Sequence, residues 1–160
     1  MTTPLADLAD RFRFNNRFLG ILADDLEPLD WLHWPDGGGN PALWILGHLA
    51  GTRRMVRRML GEDLPVQEWE ALYGMGSEPD DAAEGPGVEA LIGDFKGSGD
   101  AMTFRMDEMT AEEASAVQEQ TYPDGSNTLE GAMHFFYFHE VYHFGQLGLI
   151  RRMRGKDGFA

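Results

Sequence analysis

Two histidines spaced by four residues carry the clearest chemical signal in this sequence. His139 and His143 stand in the stretch FHEVYHFGQ at 138–146, which contains the pattern His-Glu-x-x-His. Residues four apart on a helix are separated by about 40° around its axis, so both imidazoles share one face and can bind one metal ion. The pattern predicts a metal site, and in its bare form it is the signature of zinc proteases.

The residues available as further ligands argue against two classes of metal site. A zinc protease takes a third ligand, usually His or Glu, from the chain downstream of the second histidine. The 17 residues after His143 contain neither type, and Asp157 is their single acidic residue. A di-iron carboxylate site needs Glu-x-x-His on two helices, and only Glu140 with His143 has that spacing. Both classes are therefore disfavoured.

The other three histidines differ in how well each could serve as a third metal ligand. His48 lies in a predicted helix over residues 41–60, and it is flanked at helical spacing by Trp44, Ile45, Thr52 and Met55. If that stripe faces the core, His48 points into the bundle interior, where facing helices build metal sites. His134 lies nearly opposite His143 on its helix, and His33 falls in a loop. Spacing alone leaves both a three-histidine site and a set of core histidines open.

Cap and turn residues divide the chain into four helical segments. These are predicted to run from Pro4 to about Leu29, from Pro41 to Leu60, from about Pro86 to Met109, and from a cap at Asn127 to about Arg154. Residues 61–86 are rich in glycine, proline and acid, which predicts a long irregular connection between the second and third helices. No strand pattern is present. We expect an all-α fold, a four-helix bundle made by one domain over residues 1–160.

The amino-acid composition excludes some classes of binding partner. The net charge is −14, and residues 62–120 hold 16 of the 27 acidic residues against Lys96 and Arg105. Nucleic acid and anionic membrane surfaces attract clustered positive charge, so neither is expected as a partner. The chain has no cysteine, no secretory signal pattern at its N-terminus and no apolar run of about 20 residues. We expect a protein of the cytoplasm that acts on small molecules.

Two stretches together resemble one protein family. The segments NPALWILGHLAG at 40–51 and HEVYHFGQLGLIRRMRG at 139–155 are similar to the DinB-like superfamily of helical-bundle metalloproteins. The resemblance implies a four-helix bundle, often dimeric, that binds one divalent ion through His48, His139 and His143. Zinc or nickel are the first candidates for such a ligand set, with iron or manganese as alternatives.

Two further residues are candidates for catalysis near these ligands. Gln146 lies on the face of His139 and His143, where it is predicted to orient a ligand or a metal-bound water. Glu140 is predicted to accept a ring N–H from a ligand imidazole or to act as general base, and the alternative is that it faces solvent or a partner. The pocket wall or the adjacent core is expected to contain Trp44, Met55, Phe135, Phe136 and Leu147.

The resemblance also implies a chemistry, because several relatives resemble transferases or isomerases of low-molecular-weight thiols. A divalent cation favours thiolate over thiol, and a chain without cysteine must take that sulfur from a cosubstrate. We therefore expect a metal-dependent thiol S-transferase or a related hydrolase that acts on small electrophiles. The alternatives are a non-enzymatic metal-binding protein of stress response or small-ligand binding, and a scaffold whose histidines only pack in the core.

The far side of the fourth helix suggests self-association. Opposite the ligand face fall His134, Val141, Gly145 and Gly148, and the first half of this helix is apolar nearly all round. A four-helix bundle buries only one side of each helix. The second side is predicted to contact another subunit, which makes a homodimer.

Overall fold

The structure is a computed structural model that describes residues 3–158. Within that range the regular secondary structure is helical and includes no β-strand, so the all-α prediction is confirmed. The α-helices are α1 (Ala6–Ala23), α2 (Pro28–Trp31), α3 (Ala42–Met59), α4 (Val88–Asp107), α5 (Ala111–Ala114) and α6 (Leu129–Met153). Two 3-10 helices, Glu68–Tyr73 and Pro79–Glu84, lie in the connection between α3 and α4.

The ends of α3 and α4 agree with the predicted bounds to within two residues, but two other ends were wrong. The first helix stops at Ala23 rather than near Leu29, because Pro28 lacks an N–H and holds the preceding Glu27 in an extended conformation. The N-cap of α6 is Thr128, not Asn127, and its side chain accepts a hydrogen bond from the main-chain N–H of Gly131.

The four long helices contact one another in a ring: α3 packs on α4, α4 on α1, α1 on α6, and α6 on α3. The buried side chains form two clusters, one at each end of this ring. One cluster joins the C-terminal halves of α1 and α6 to the N-terminal halves of α3 and α4. The other joins the remaining four halves. Helices α3 and α4 are therefore parallel to each other and antiparallel to α1 and α6.

This arrangement explains the long connection between α3 and α4. Because the two helices are parallel, the chain leaves α3 at one end of the ring and must return along its whole length before α4 begins. An 18-residue helix is about 27 Å long, which a tight turn cannot span. The acidic residues 60–87 make that return, and the two 3-10 helices are part of it.

The ligand helices are fixed by what they bury. Helix α3 buries Leu46, Leu49, Ala50, Arg53 and Val56 at helical spacing, and α6 buries Phe136, Glu140, His143, Phe144 and Leu147. These stripes face each other across the ring interior, which brings the histidines of the two helices together. None of the helices in the described part of the chain combines the length and apolar character that a membrane span requires.

Candidate metal centre

Three histidines from two helices converge inside the helical ring. His48 comes from α3, and His139 and His143 come from successive turns of α6. Nε2 of His139 lies 3.0 Å from Nε2 of His48 and 3.2 Å from Nε2 of His143. Imidazole nitrogens bound about 2.1 Å from one zinc ion lie roughly 3.0–3.4 Å apart, so these separations suit a common ion. One ligand atom from each residue lies within 4.8 Å of the others.

The hydrogen bonds on the far side of two rings decide which nitrogen is available. Nδ1 of His48 lies 2.8 Å from the main-chain carbonyl oxygen of Tyr73, which can only accept. Nδ1 of His143 lies 2.6 Å from Oε1 of Gln146, and we assign it as the donor there as well. With both protons on Nδ1, the Nε2 atoms of the neutral rings keep their lone pairs. These lone pairs point at the third imidazole, that of His139.

Burial keeps these rings neutral. It lowers the pKa of His139 to about 3, with further lowering from the neighbouring His143 and His48. It also lowers the pKa of His143 to about 4, although the bond to Gln146 opposes the change. The pKa of His48 is lowered by burial too, against the bond to Tyr73. A metal ligand must be deprotonated, so the three histidines are ready to bind a cation at neutral pH.

The donor set fits a divalent transition metal. Neutral imidazoles suit zinc, nickel and iron, and three protein ligands leave positions for water or substrate. Nδ1 of His139 is buried and has no hydrogen-bond partner among the described residues. In the metal-free protein, Nε2–H of His139 can donate to the Nε2 lone pairs of His48 and His143, and a bound ion would replace these hydrogen bonds with three bonds to nitrogen.

Aromatic side chains line the three rings, as predicted in part. The indole of Trp44 stacks on His48 with centroids 4.8 Å apart and planes 11° apart. The rings of Phe135 and Phe136 lie 6.4 Å and 6.2 Å from that of His139. Met55 is exposed, so it does not pack in the core, and its place in the pocket wall stays a prediction.

Leu147 was expected in the pocket wall or in the adjacent core, and it is buried in the core. The histidines predicted to stand apart do so, since His134 is exposed and His33 lies in the loop after α2.

Glu140 does not accept a ring N–H from any of the three ligands. Its carboxylate is 1% exposed and receives hydrogen bonds from Asn15 at 2.8 Å and from Arg53, whose Nη2 lies 3.0 Å away. The alternative that it faces solvent or a partner was therefore also wrong. Acceptors for the ligand rings come from Tyr73 and Gln146 instead. The general-base role of Glu140 stays a prediction, as does the catalytic role of Gln146.

Sequence reasoning missed Tyr73 and Arg53, although each left a signal. Gly47 directly precedes His48 inside a helix, and a glycine there often marks a close approach by another part of the chain. Arg53 falls on the buried stripe of α3, one turn after Leu49 and before Val56. A charged side chain on a buried stripe needs a partner in the interior, which is the signal that this position carried.

The fold and the site together define a class: an all-helical protein in which three histidines from two helices are grouped closely enough to hold one metal ion. A family model described as the DinB superfamily matches residues 11–147. The match covers most of the 160 residues, so the chain belongs to the DinB superfamily. No curated protein matches the chain at a significant level.

Proposed function

We propose that this protein is a metal-dependent enzyme that transfers a low-molecular-weight thiol to a small electrophile, or carries out a related hydrolytic step. The observation that supports it most directly is the convergence of three neutral Nε2 atoms, two of them oriented by acceptors at Nδ1. Ion sites with three protein ligands are typical of catalytic rather than structural centres. The proposal takes its thiol chemistry from the family resemblance.

His48, His139 and His143 would hold the ion, with zinc or nickel as the first candidates. When bound, the ion would supply positive charge that favours a thiolate at neutral pH. In the transfer, the thiol loses its proton to solvent, its sulfur forms a bond to the electrophilic carbon, and the leaving group departs with the electrons of the broken bond. The chain has no cysteine, so the sulfur must come from a cosubstrate.

The chain's own residues contribute orientation and exclusion of water. Gln146 holds the ring of His143 through Nδ1, and we assign it as a positioning residue. Trp44 covers one face of the His48 ring, which removes that face from solvent. Tyr142 is exposed and meets His143 edge to face at 5.4 Å, so an aromatic surface borders the site. Apolar or aromatic electrophiles are therefore favoured over strongly charged ones.

The test is a product assay on protein loaded with Zn²⁺ or Ni²⁺. A panel of cellular thiols is mixed with alkyl-halide and epoxide electrophiles, and thioethers are measured by mass spectrometry. We expect enzyme-dependent product that is lost in His48→Ala and retained in His134→Ala, a substitution at an exposed histidine.

If no thiol gives product while the loaded protein still shows ligand-dependent thermal shifts, the enzyme proposal is wrong. The protein is then a non-enzymatic, metal-dependent ligand-binding protein. His134→Ala must bind metal like the wild-type protein for this comparison to count, because both variants remove one imidazole.

A further inference from the structure

The connection between α3 and α4 is attached to α3 along much of its length. Near its start, Glu70 accepts hydrogen bonds from Arg54 at 2.8 Å and from Arg58 at 2.6 Å. Further along, the indole N–H of Trp44 donates to the hydroxyl of Ser77 at 2.9 Å. These contacts hold the two 3-10 helices against the helix that carries His48.

Tyr73 is the deepest attachment of this connection. It is 1% exposed, and its hydroxyl donates to the main-chain carbonyl of Ala82 at 2.8 Å. A Cβ atom added at Gly47 would overlap the Tyr73 ring, and one added at Gly85 would overlap its hydroxyl oxygen. The ring is therefore seated between two glycines, one on α3 and one at the end of the second 3-10 helix.

The seated tyrosine places its own main chain beside the metal site. Gly47 directly precedes His48, so the residue that receives the Tyr73 ring is adjacent to the ligand that receives the Tyr73 carbonyl. That carbonyl oxygen lies 2.8 Å from Nδ1 of His48. The contact of the Tyr73 ring with Gly47 thus holds the Tyr73 carbonyl within hydrogen-bond distance of Nδ1 of His48.

A second attachment controls the plane of the same imidazole. Trp44 stacks on the ring of His48 and is itself held by Ser77 of the connection. Tyr73 of the connection therefore sets the proton and direction of the His48 ring, and Ser77, four residues later, holds the indole that covers the face of that ring.

We propose that the connection is a positioning element of the metal centre. Tyr73, seated on Gly47 and Gly85, presents its carbonyl to His48 and fixes Nε2 as the nitrogen that faces His139. The part of this proposal that concerns metal affinity rests on the proposed metal-dependent function. The part that concerns the tautomer of His48 is independent of it.

The first experiment compares two glycine-to-alanine substitutions on α3. Gly47→Ala displaces the Tyr73 ring, whereas a Cβ at Gly51 would meet only Trp69 at 4.0 Å, an ordinary contact. Both changes have the same effect on helix propensity. Loss of an acceptor behind a ligand histidine weakens metal binding about 10- to 100-fold. We expect that loss of Zn²⁺ affinity in Gly47→Ala and wild-type affinity in Gly51→Ala, measured by competition with a chromophoric chelator.

The second experiment reads the tautomer without metal. In the metal-free protein, ¹⁵N-detected histidine spectra should show His48 protonated at Nδ1 in wild-type protein and Gly51→Ala. Gly47→Ala should show a mixture of tautomers or the Nε2-protonated form. If Gly47→Ala does not fold by circular dichroism, Gly85→Ala perturbs the same ring from the opposite side and leaves α3 untouched.

The outcomes separate the two proposals. If the wild-type protein binds no Zn²⁺ or Ni²⁺, the proposed function fails, and the tautomer measurement still decides the role of Tyr73. If folded variants at Gly47 or Gly85 keep the Nδ1-protonated form of His48 and, where the wild-type protein binds metal, keep its affinity within twofold, the positioning proposal is overturned.

Discussion

Arg53 and Glu140 form a two-pronged ion pair where the two core clusters meet. Nη2 of Arg53 lies 3.0 Å from Oε2 of Glu140, and Nε donates to the other carboxylate oxygen. Asn15 of α1 donates to the carboxylate, and the carbonyl of Phe95 on α4 accepts from Arg53 at 2.9 Å. The pair therefore connects all four long helices, next to His139, which precedes Glu140 in sequence.

Removing one partner of this pair should be costly. Glu140→Ala leaves the Arg53 guanidinium 1% exposed without its counter-charge, and such a change destabilises a protein by about 3–5 kcal/mol. Urea unfolding of the metal-free protein measures the loss. As the control, Asp10→Ala breaks the exposed ion pair with Arg13 and should cost about 0–1 kcal/mol. Equal losses in the two variants would contradict the structural importance of the buried pair.

Two glycines on α4 should respond oppositely to alanine. A Cβ at Gly99 would overlap the guanidinium of Arg53 and the side chain of Asn16, whereas one at Gly97 would meet nothing within 4 Å. Gly97→Ala should stabilise the helix by up to about 1 kcal/mol. Gly99→Ala should destabilise the protein by about 1–3 kcal/mol through overpacking. The difference in melting temperature between the variants is the measurement, and the same sign for both would refute the close approach at Gly99.

Metal binding should stabilise the fold. A ligand at 100 times its dissociation constant adds about 2.7 kcal/mol to the free energy of unfolding, provided that it binds only the folded chain. Thermal unfolding with added Zn²⁺ or Ni²⁺, and again after chelation, should show this shift. His139→Ala and His143→Ala should abolish the shift and the bound metal measured by elemental analysis, whereas His134→Ala should keep both. A shift that survives in the ligand variants would place the ion elsewhere.

Gln146 should act through His143. Gln146→Met removes the acceptor at Nδ1 but keeps the length of the side chain, so Zn²⁺ affinity should fall about 10-fold or more. Gln146→Glu supplies another acceptor and should restore the affinity. If activity falls in Gln146→Met while metal affinity is unchanged, the residue contacts the reacting groups directly, as its predicted catalytic role requires.

The outer face of α6 should form a homodimer contact. Phe138, Val141 and Leu149 are exposed there, with Gly145 beside them. Gly148 was predicted to lie on that face, but it is buried, so that part of the prediction was wrong. We expect light scattering to give twice the mass of the chain, and Val141→Glu to lower it to that of a monomer. Met75→Glu changes a side chain that is 97% exposed and should have no effect. A monomeric wild-type protein at micromolar concentration would rule out the dimer.

Much of the fold follows from local sequence signals. Pro41 and Gly61 bound α3, and Gly155 follows α6 with a positive φ of 73°, as helix ends require. The four-residue spacing of His139 and His143 puts both rings on one face of α6, whatever the rest of the chain does. These features depend on residues that are close together in the sequence, within about two helical turns, and the sequence alone therefore predicts them.

The partners of the buried polar groups were decided only in three dimensions. Glu140 follows His139 in sequence, yet its carboxylate lies with Arg53 because the rotation of α6 against α3 turns it toward the ring interior. The contact of Tyr73 with His48 spans 25 residues and requires the return of the chain along α3. Such pairings depend on how helices rotate against each other and on where a connection docks, and local spacing contains no information about either.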